Sequence, residues 1–231
     1  MNSLFVPINT DLTGLQVLLT VGPTQEAIDP VRYISNHSTG KMGYALAQVL
    51  AERGAQVTLV SGPTSQTATH PAITVVQVRS AAEMYAACLT YFPSAQLTVL
   101  AAAVADYTPK VVATRKLKKK ENEFTLELVK TVDIAASLGK QKRDDQLLVG
   151  FALETDNELA NAQAKLVSKN LDLVVLNSLR DAGAAFGHDT NQVTFIHRNG
   201  AIHRFGLKSK RAVAQDIADQ ISSVFTVSTV F

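Results

Sequence analysis

Apolar residues fall in short runs between polar turns, and the period of each run assigns it. Residues 15–21 (LQVLLTV) form a largely apolar run that stops at Gly-Pro-Thr, the pattern of a strand buried on both faces and then a turn. After a long polar stretch, Met42, Ala45, Leu46, Val49 and Leu50 recur at helical spacing behind Thr39-Gly40-Lys41 and stop at Gly54. Residues 56–60 (QVTLV) read as a second buried strand, and residues 73–78 as a third. Residues 80–92 read as a helix, with Ser80 as N-cap and Glu83 at the capping-box position, and residues 97–104 as a fourth strand. Residues 1–14 lack a period and are expected to form an ordered arm or frayed tail.

A basic run then breaks the rhythm. Residues 124–129 alternate apolar and polar, which predicts a strand with one buried face; residues 133–138 read as a short helix. Strand, helix and strand recur over residues 147–152, 158–169 and 171–176. Residues 193–197 and 201–205, joined through Arg198-Asn199-Gly200, carry an Asn-Gly hairpin signal, and residues 210–225 close the chain as an amphipathic helix. This alternation predicts an α/β fold: one Rossmann-like domain over residues 1–231, a doubly wound, mostly parallel sheet with an antiparallel hairpin extension.

Composition narrows the class. With 46% hydrophobic and 18% charged residues over a length of 231, the chain has ample material for one core and is not disordered. Twenty-two basic against 20 acidic residues leave a net charge of +2, too little field to call for a nucleic-acid or membrane partner. Cys88 is the single cysteine, in an amphipathic helical segment, and reads as a buried structural thiol. The first basic residue is Arg32, unlike a secretory signal, and the longest apolar run, residues 97–105, is too short to span a bilayer. A cytoplasmic protein is expected.

Open α/β sheets bind ligands at the carboxyl ends of their strands. Three such exits are unusual. The loop over residues 22–43 is long, rich in Asn, His, Ser, Thr and Gly, and ends at a helix N-terminus, where free N–H groups, the helix dipole and Lys41 form a phosphate or carboxylate site. Within it, Gly22, Asn36, Ser38, Gly40 and Lys41 are the candidate phosphate-binding residues; a capped helix behind a structural loop is the alternative. At AAAVADY (residues 101–107) small side chains at Ala101 and Ala102 let a flat ligand reach the backbone, and Asp106 offers a carboxylate; close packing is the alternative. The third is the basic stretch KLKKKENE (residues 116–123), either a solvated face or a loop that orders over a polyphosphate.

Common alternatives fail on their motifs. No G-x-G-x-x-G follows the first strand, and Gly40-Lys41 is followed by Met42 rather than the Ser or Thr of a P-loop. His37, His70, His188, His197 and His203 have no metal-binding spacing, and there is no G-x-S-x-G elbow. Phosphate chemistry without a covalent enzyme intermediate remains, in which positioning and cations supply the rate.

Six motifs in order, DPVRYISNHSTGKMG (residues 29–43), AAAVADY, KLKK (116–119), VKTVDI (129–134), GFALET (150–155) and KNLDLVVLN (169–177), closely resemble bacterial phosphopantothenoylcysteine synthetase, from about residue 17 to the last helix. The resemblance implies a free-standing ligase, without the decarboxylase domain to which many members are fused. It would activate the carboxylate of 4'-phosphopantothenate with CTP, forming an acyl-cytidylate and pyrophosphate, and L-cysteine would then displace CMP. Mg²⁺ is expected on the triphosphate, not in a protein cage. Residue by residue, Asn36 matches the asparagine that assists turnover of the acyl-cytidylate by cysteine, and Lys116 the lysine needed to form it. Ala101, Ala102, Asp106, Asp133, Ile134, Phe151, Lys165 and Lys169, with Lys116, match nucleotide-contacting positions. Two departures are visible: Ser38-Thr39-Gly40 for Ser-Ser-Gly, and Thr131-Val132-Asp133 for Asn-Pro-Asp, which leaves Val132 in doubt as a contact. The resemblance further implies a homodimer whose basic loop reaches the neighbouring site. A Rossmann-like NAD(P) reductase and a non-catalytic nucleotide-binding subunit are the competing readings; the first lacks the glycine fingerprint, and the second has no use for both Asn36 and Lys116.

Overall fold

The first apolar run forms β1 (Gln16–Val21) at the centre of the sheet, enclosed on both faces: Val17, Leu19 and Val21 pack into one hydrophobic layer and Leu18 into the other. The structure, a computed structural model, describes residues 10–118, 124–154, 156–178 and 189–227. After β1 come β2 (Gln25–Ala27), β3 (Tyr33–Ser35), α1 (Lys41–Glu52), β4 (Gln56–Ser61), β5 (Ile73–Gln77), α2 (Ala81–Tyr91) and β6 (Leu97–Leu100). They are followed by β7 (Tyr107–Pro109), β8 (Leu128–Lys130), α3 (Ile134–Gln141), β9 (Leu147–Glu154), α4 (Glu158–Ser168) and β10 (Leu173–Ser178). Then come β11 (Thr190–Asn191), β12 (Val193–His197), β13 (Ile202–Arg204), β14 (Lys208–Ser209) and α5 (Lys210–Val227).

The main sheet has eight strands in the order β13-β12-β10-β9-β6-β1-β4-β5. The strands from β10 to β5 in this order pair in parallel, and β12 and β13 extend the β10 edge antiparallel. This is the doubly wound order, in which the chain builds outward from β1 to β5, then returns to build outward from β6. Helices α1 and α5 supply one buried layer, and α2, α3 and α4 the other. The C-cap of α1, Arg53, joins both ends of the chain to this frame through Asp11 and Asp219. Burial alone pushes the Cys88 thiol up to about 12, so it stays protonated as a core side chain, as expected. No helix among the described residues is long and apolar enough to cross a membrane.

The fold class, hairpin and helices agree with the sequence reading, and the differences are local. Ser80 caps α2 by accepting from the Glu83 N–H at 3.2 Å, but Glu83 reaches back to the N–H of Arg79, not of Ser80. Pro93 turns the expected end of that helix into a 3₁₀ segment, Phe92–Ser94. The fourth strand stops at Leu100, because its chain then leaves the sheet and keeps only a bridge between Ala103 and Pro23. The expected half-buried strand over residues 124–129 is not one: only Leu128–Lys130 is extended, all three residues exposed. It pairs with Tyr107–Pro109 in a separate two-stranded ribbon, and Leu128 and Val129 join neither hydrophobic layer. The short strands β2, β3, β11 and β14 carry too few residues to show a period. Residues 1–9, residues 119–123 of the basic run, Thr155 and His188 lie outside the described residues.

Gly43 shows how closely α1 seats on β1. A Cβ there would lie 2.2 Å from Val21 Cγ1. Alanine in a helix interior ordinarily stabilises by about 1 kcal/mol over glycine. Here the overlap reverses the sign, and Gly43→Ala is expected to cost about 1–3 kcal/mol. A lower urea midpoint at unchanged slope is the expected result.

Candidate active site

A cavity of about 900 Å³ opens at the carboxyl ends of β1, β6, β9 and β10, where the doubly wound sheet reverses. Its floor is backbone. Beyond the end of the sheet the Ala103 N–H donates to the Gly22 carbonyl at 2.9 Å, and the Ala103 carbonyl accepts from the Thr24 N–H at 3.3 Å. The same carbonyl accepts from Asn36 Nδ2 at 3.0 Å, and the Val104 carbonyl accepts from it at 3.2 Å. Both amide hydrogens of Asn36 are therefore used to fix its side chain on the β6 exit, and Oδ1 is the atom it can offer a ligand.

Above this floor starts α1. Its N-cap, Gly40, has φ of 74° and provides no side-chain cap, so the first N–H groups of the helix face the cavity with Ser38 and Lys41 beside them. The left-handed turn at Gly40 rests on Gly22, itself at φ 75°; a Cβ on Gly40 would sit 3.5 Å from Gly22 Cα. Helix α3 also starts here, capped by Asp133, whose Oδ1 accepts from the Ala136 N–H at 2.9 Å.

Cations dominate the walls: Lys41, Lys130, Lys165, Lys169 and Lys210 line the cavity against the carboxylates of Asp106 and Asp133. Lys169 holds Asp133 at 3.0 Å, and Lys165 holds Glu154 at 2.6 Å. Lys41 meets the exposed carboxylate of Asp189 at 2.6 Å. Lys210 is held below the ordinary lysine range by burial and by the facing Lys41 ammonium. Burial works to raise the Asp133 carboxyl, but the Ala136 N–H and the Lys169 ammonium outweigh it and bring it below 3.8. Such a wall suits a polyanion. Among the described residues, no three or more His, Cys, Asp or Glu side chains gather as a metal site.

Of the residues singled out in the sequence, Asn36, Ser38, Gly40, Lys41, Ala101, Ala102, Asp106, Asp133, Ile134, Phe151, Lys165 and Lys169 all line this one cavity. Val132 lines it too. Gly22 and Lys116 do not. Gly22 lies beneath Gly40 as part of the support, and Lys116 is exposed at the root of the basic loop. Lining residues not among the sequence candidates include Lys130 and Asn177, which lie within the motifs VKTVDI and KNLDLVVLN, and Asn191 and Lys210, which lie in none. Asn177, at the exit of β10, was legible as a polar residue closing an apolar strand; its Oδ1 is buried and unpartnered among the described residues. Asn191 and Lys210 belong to a two-residue strand and to the start of α5, and no motif marks them.

A family model described as the DNA/pantothenate metabolism flavoprotein C-terminal domain matches residues 12–225. The chain belongs to this family. The coenzyme A biosynthesis bifunctional protein CoaBC of Bacillus subtilis (strain 168) is 45% identical over 213 residues, which cover 92% of this chain and 52% of that protein. A cysteine/cysteine sulfinic acid decarboxylase of an unknown prokaryotic organism is 52% identical over 210 residues, 91% of this chain and 58% of that protein. The chain thus spans little more than half the length of these curated relatives. A crystal structure of the C-terminal domain of CoaBC superposes with a TM-score of 0.80 at 40% identity, covering 94% of this chain and 98% of that one. A Cab2 mutant solved with phosphopantothenate-cysteine has the same fold, with a TM-score of 0.71 at 18% identity.

Asp133 caps α3 at the edge of this cavity, and Asp133→Ala removes that cap. A loss of about 1 kcal/mol at neutral pH is expected from urea denaturation. Because the folded carboxyl titrates below its ordinary value of 3.8, the wild-type advantage is complete above that value. It should fade as the pH falls through the folded pKa. An undiminished difference at the acid end would contradict the ionic cap.

Proposed function

We propose that the chain is a ligase that joins 4'-phosphopantothenate to L-cysteine, with CTP as co-substrate, in coenzyme A biosynthesis. The observation that carries this reading is the switch-point cavity, where an anchored Asn36, the open N-terminus of α1 and five lysines converge. Support comes from the family, and from the CoaBC C-terminal domain matched over nearly its whole length. The decarboxylase activity in the name of the 52%-identical relative is not carried over, since the chain covers 58% of that protein.

In the first step a carboxylate oxygen of phosphopantothenate attacks the α-phosphorus of CTP, and the bond to the β-phosphate breaks, releasing pyrophosphate with its electron pair. In the second, the cysteine nitrogen attacks the acyl carbon, the bond to CMP breaks, and the ammonium formed gives up a proton. The substrate carboxylate is itself the nucleophile, so the protein's work is alignment and charge compensation. The N–H groups of α1 and the lysine wall hold phosphates, and Ala101 and Ala102 leave room for the nucleotide against the backbone. Asn36 Oδ1 accepts a hydrogen bond from the incoming amine and aims it at the acyl carbon. Lys116 offsets charge on the phosphoryl group in the first step. Mg²⁺ on the triphosphate would add Lewis-acid stabilisation. Asp133 is engaged by Ala136 and Lys169, so Asp106 is the lining carboxylate suited to hold the ion.

Lys116 stands outside its own chain's cavity, and the β2–β3 hairpin, the β7–β8 ribbon and the chain between β7 and β8 expose Val31, Tyr33, Tyr107, Val111, Phe124 and Leu128. A second copy covering this apolar surface would form a homodimer and place Lys116 at the neighbouring site.

Pyrophosphate release from CTP and from ATP, with phosphopantothenate present and cysteine omitted or added, tests the ligase. Release that requires phosphopantothenate and turns over fully only with cysteine is expected; none from folded protein would end the proposal. Asn36→Ala should still form the acyl-cytidylate, yet pass it to cysteine about a hundredfold more slowly. Lys116→Gln should lose about as much in pyrophosphate release. Mixing these two inactive variants tests the exchange: random reassortment of dimers should restore about a quarter of wild-type activity. No recovery, with mixed dimers demonstrated, would place Lys116 at its own chain's site.

A further inference from the structure

The exposed backbone that carries Lys116 is held by one buried carboxylate far away in sequence. Asp29, its side chain fully enclosed, sits in the turn between β2 and β3. Its Oδ1 accepts from the N–H groups of Val31 at 2.8 Å and Arg32 at 2.9 Å. Its Oδ2 accepts from Arg32 Nε at 3.0 Å, from Arg32 Nη2 and from the Leu117 N–H at 3.0 Å. Arg32 Nη2 also donates to the Leu117 carbonyl at 2.9 Å. Both polar groups of the residue after Lys116 are therefore taken by one ion pair. A second tie, from the Ala113 N–H to the Ile28 carbonyl at 3.0 Å, fixes the start of the same segment.

The turn that makes these bonds also leads into Asn36. Its outgoing strand, β3, ends at Ser35, whose hydroxyl donates to the Thr24 carbonyl at 2.7 Å, and the next residue is the asparagine anchored on the β6 exit. One short hairpin thus bears Asn36 and grips the root of the Lys116 loop. The Arg32 guanidinium holds the Asp29 carboxyl well below the usual carboxylate range, so the grip persists across the pH range of activity assays.

We propose that Asp29 is a positioning residue for the first half-reaction, fixing the Lys116 backbone to the hairpin that carries Asn36 by holding the Leu117 peptide. This rests on the ligase reading above. Asp29 is buried away from the cavity and touches no reacting group; it acts through Leu117 and Arg32. An asparagine at this position puts an amide N–H against one of the N–H groups the carboxylate accepts, and removes the counter-charge of Arg32.

The test compares the full wild-type chain with Asp29→Asn by amide hydrogen exchange and by the kinetics of pyrophosphate release without cysteine. Exchange at Leu117 should quicken by about tenfold while α1 keeps its protection. In parallel, kcat for pyrophosphate release should fall about tenfold to a hundredfold, with KM for CTP within about twofold. Asp29→Glu, which keeps the charge, should recover part of kcat. A freed Leu117 with unchanged kcat would overturn the proposal, and so would a loss of kcat without faster exchange at Leu117. If Asp29→Asn does not fold, replacing Leu117 by its α-hydroxy analogue removes the one N–H and leaves Asp29 and Arg32 intact. Unchanged kcat in that protein overturns the proposal as well. Wild-type protein that releases no pyrophosphate would refute the ligase reading, whereas the exchange result still decides whether Asp29 holds the loop.

Discussion

The site depends on one peptide unit, Ala103, where the backbones of the first and fourth parallel strands stay joined after the sheet has ended. Its N–H is bound by the Gly22 carbonyl, and its carbonyl receives Thr24 and the Asn36 side chain. Parallel strands normally diverge at a switch point and leave an open crevice. Here the crevice has a backbone floor, because residues 101–105 carry only Ala and Val side chains and the chain from β1 runs alongside them. A larger residue at 103 would crowd the loop that bears Asn36. The small residues of AAAVA thus serve close approach of backbone to backbone as much as of ligand to backbone.

On that floor the electrostatics follow from which ends of the helices are exposed. Two helices, α1 and α3, begin at the cavity, and α1 has no side-chain cap to compete for its N–H groups. Five lysines from four segments, α1, β8, α4 with its C-cap, and α5, add positive charge; Lys41, Lys165 and Lys169 meet carboxylates, and Lys210 is depressed by its surroundings. Most of these pairs are partly exposed and individually weak. A polyanionic ligand therefore has few strong protein contacts to displace and many cations to meet. Nearly balanced overall charge is compatible with this, since the wall concentrates in one crevice a small part of the chain's basic residues.

The outer elements follow a different rule. The hairpin of β2 and β3 and the ribbon of β7 and β8 stand off the main sheet and are tied by specific polar contacts, not by burial. The Asp29–Arg32 pair and Thr131, whose hydroxyl donates to the Ala105 carbonyl at 2.7 Å, are examples. Val31, Tyr33, Tyr107, Leu128 and Val129 remain exposed on them, an apolar surface on which the proposed dimer would form.

The layers were legible in the apolar pattern alone. Continuous apolar runs are buried strands, helical periods mark the covering helices, and the alternation of the two leaves a doubly wound sheet as the consistent solution. The sequence also marked part of the cavity, because ligand-facing residues of such a sheet lie at strand exits and at the helix starts that follow, as Asn36, Gly40 and Ala102 do. Contacts between distant segments arise only in the folded chain. Lys210, Asn191 and Lys130 reach the cavity from elements that are adjacent only after the sheet has formed. The strand expected at residues 124–129 became an exposed ribbon because alternation specifies a face without specifying what covers it. Lys116 was placed outside the cavity, and Asp29 was brought to Leu117, since hydrogen bonds between residues so far apart in the chain leave no period in the sequence.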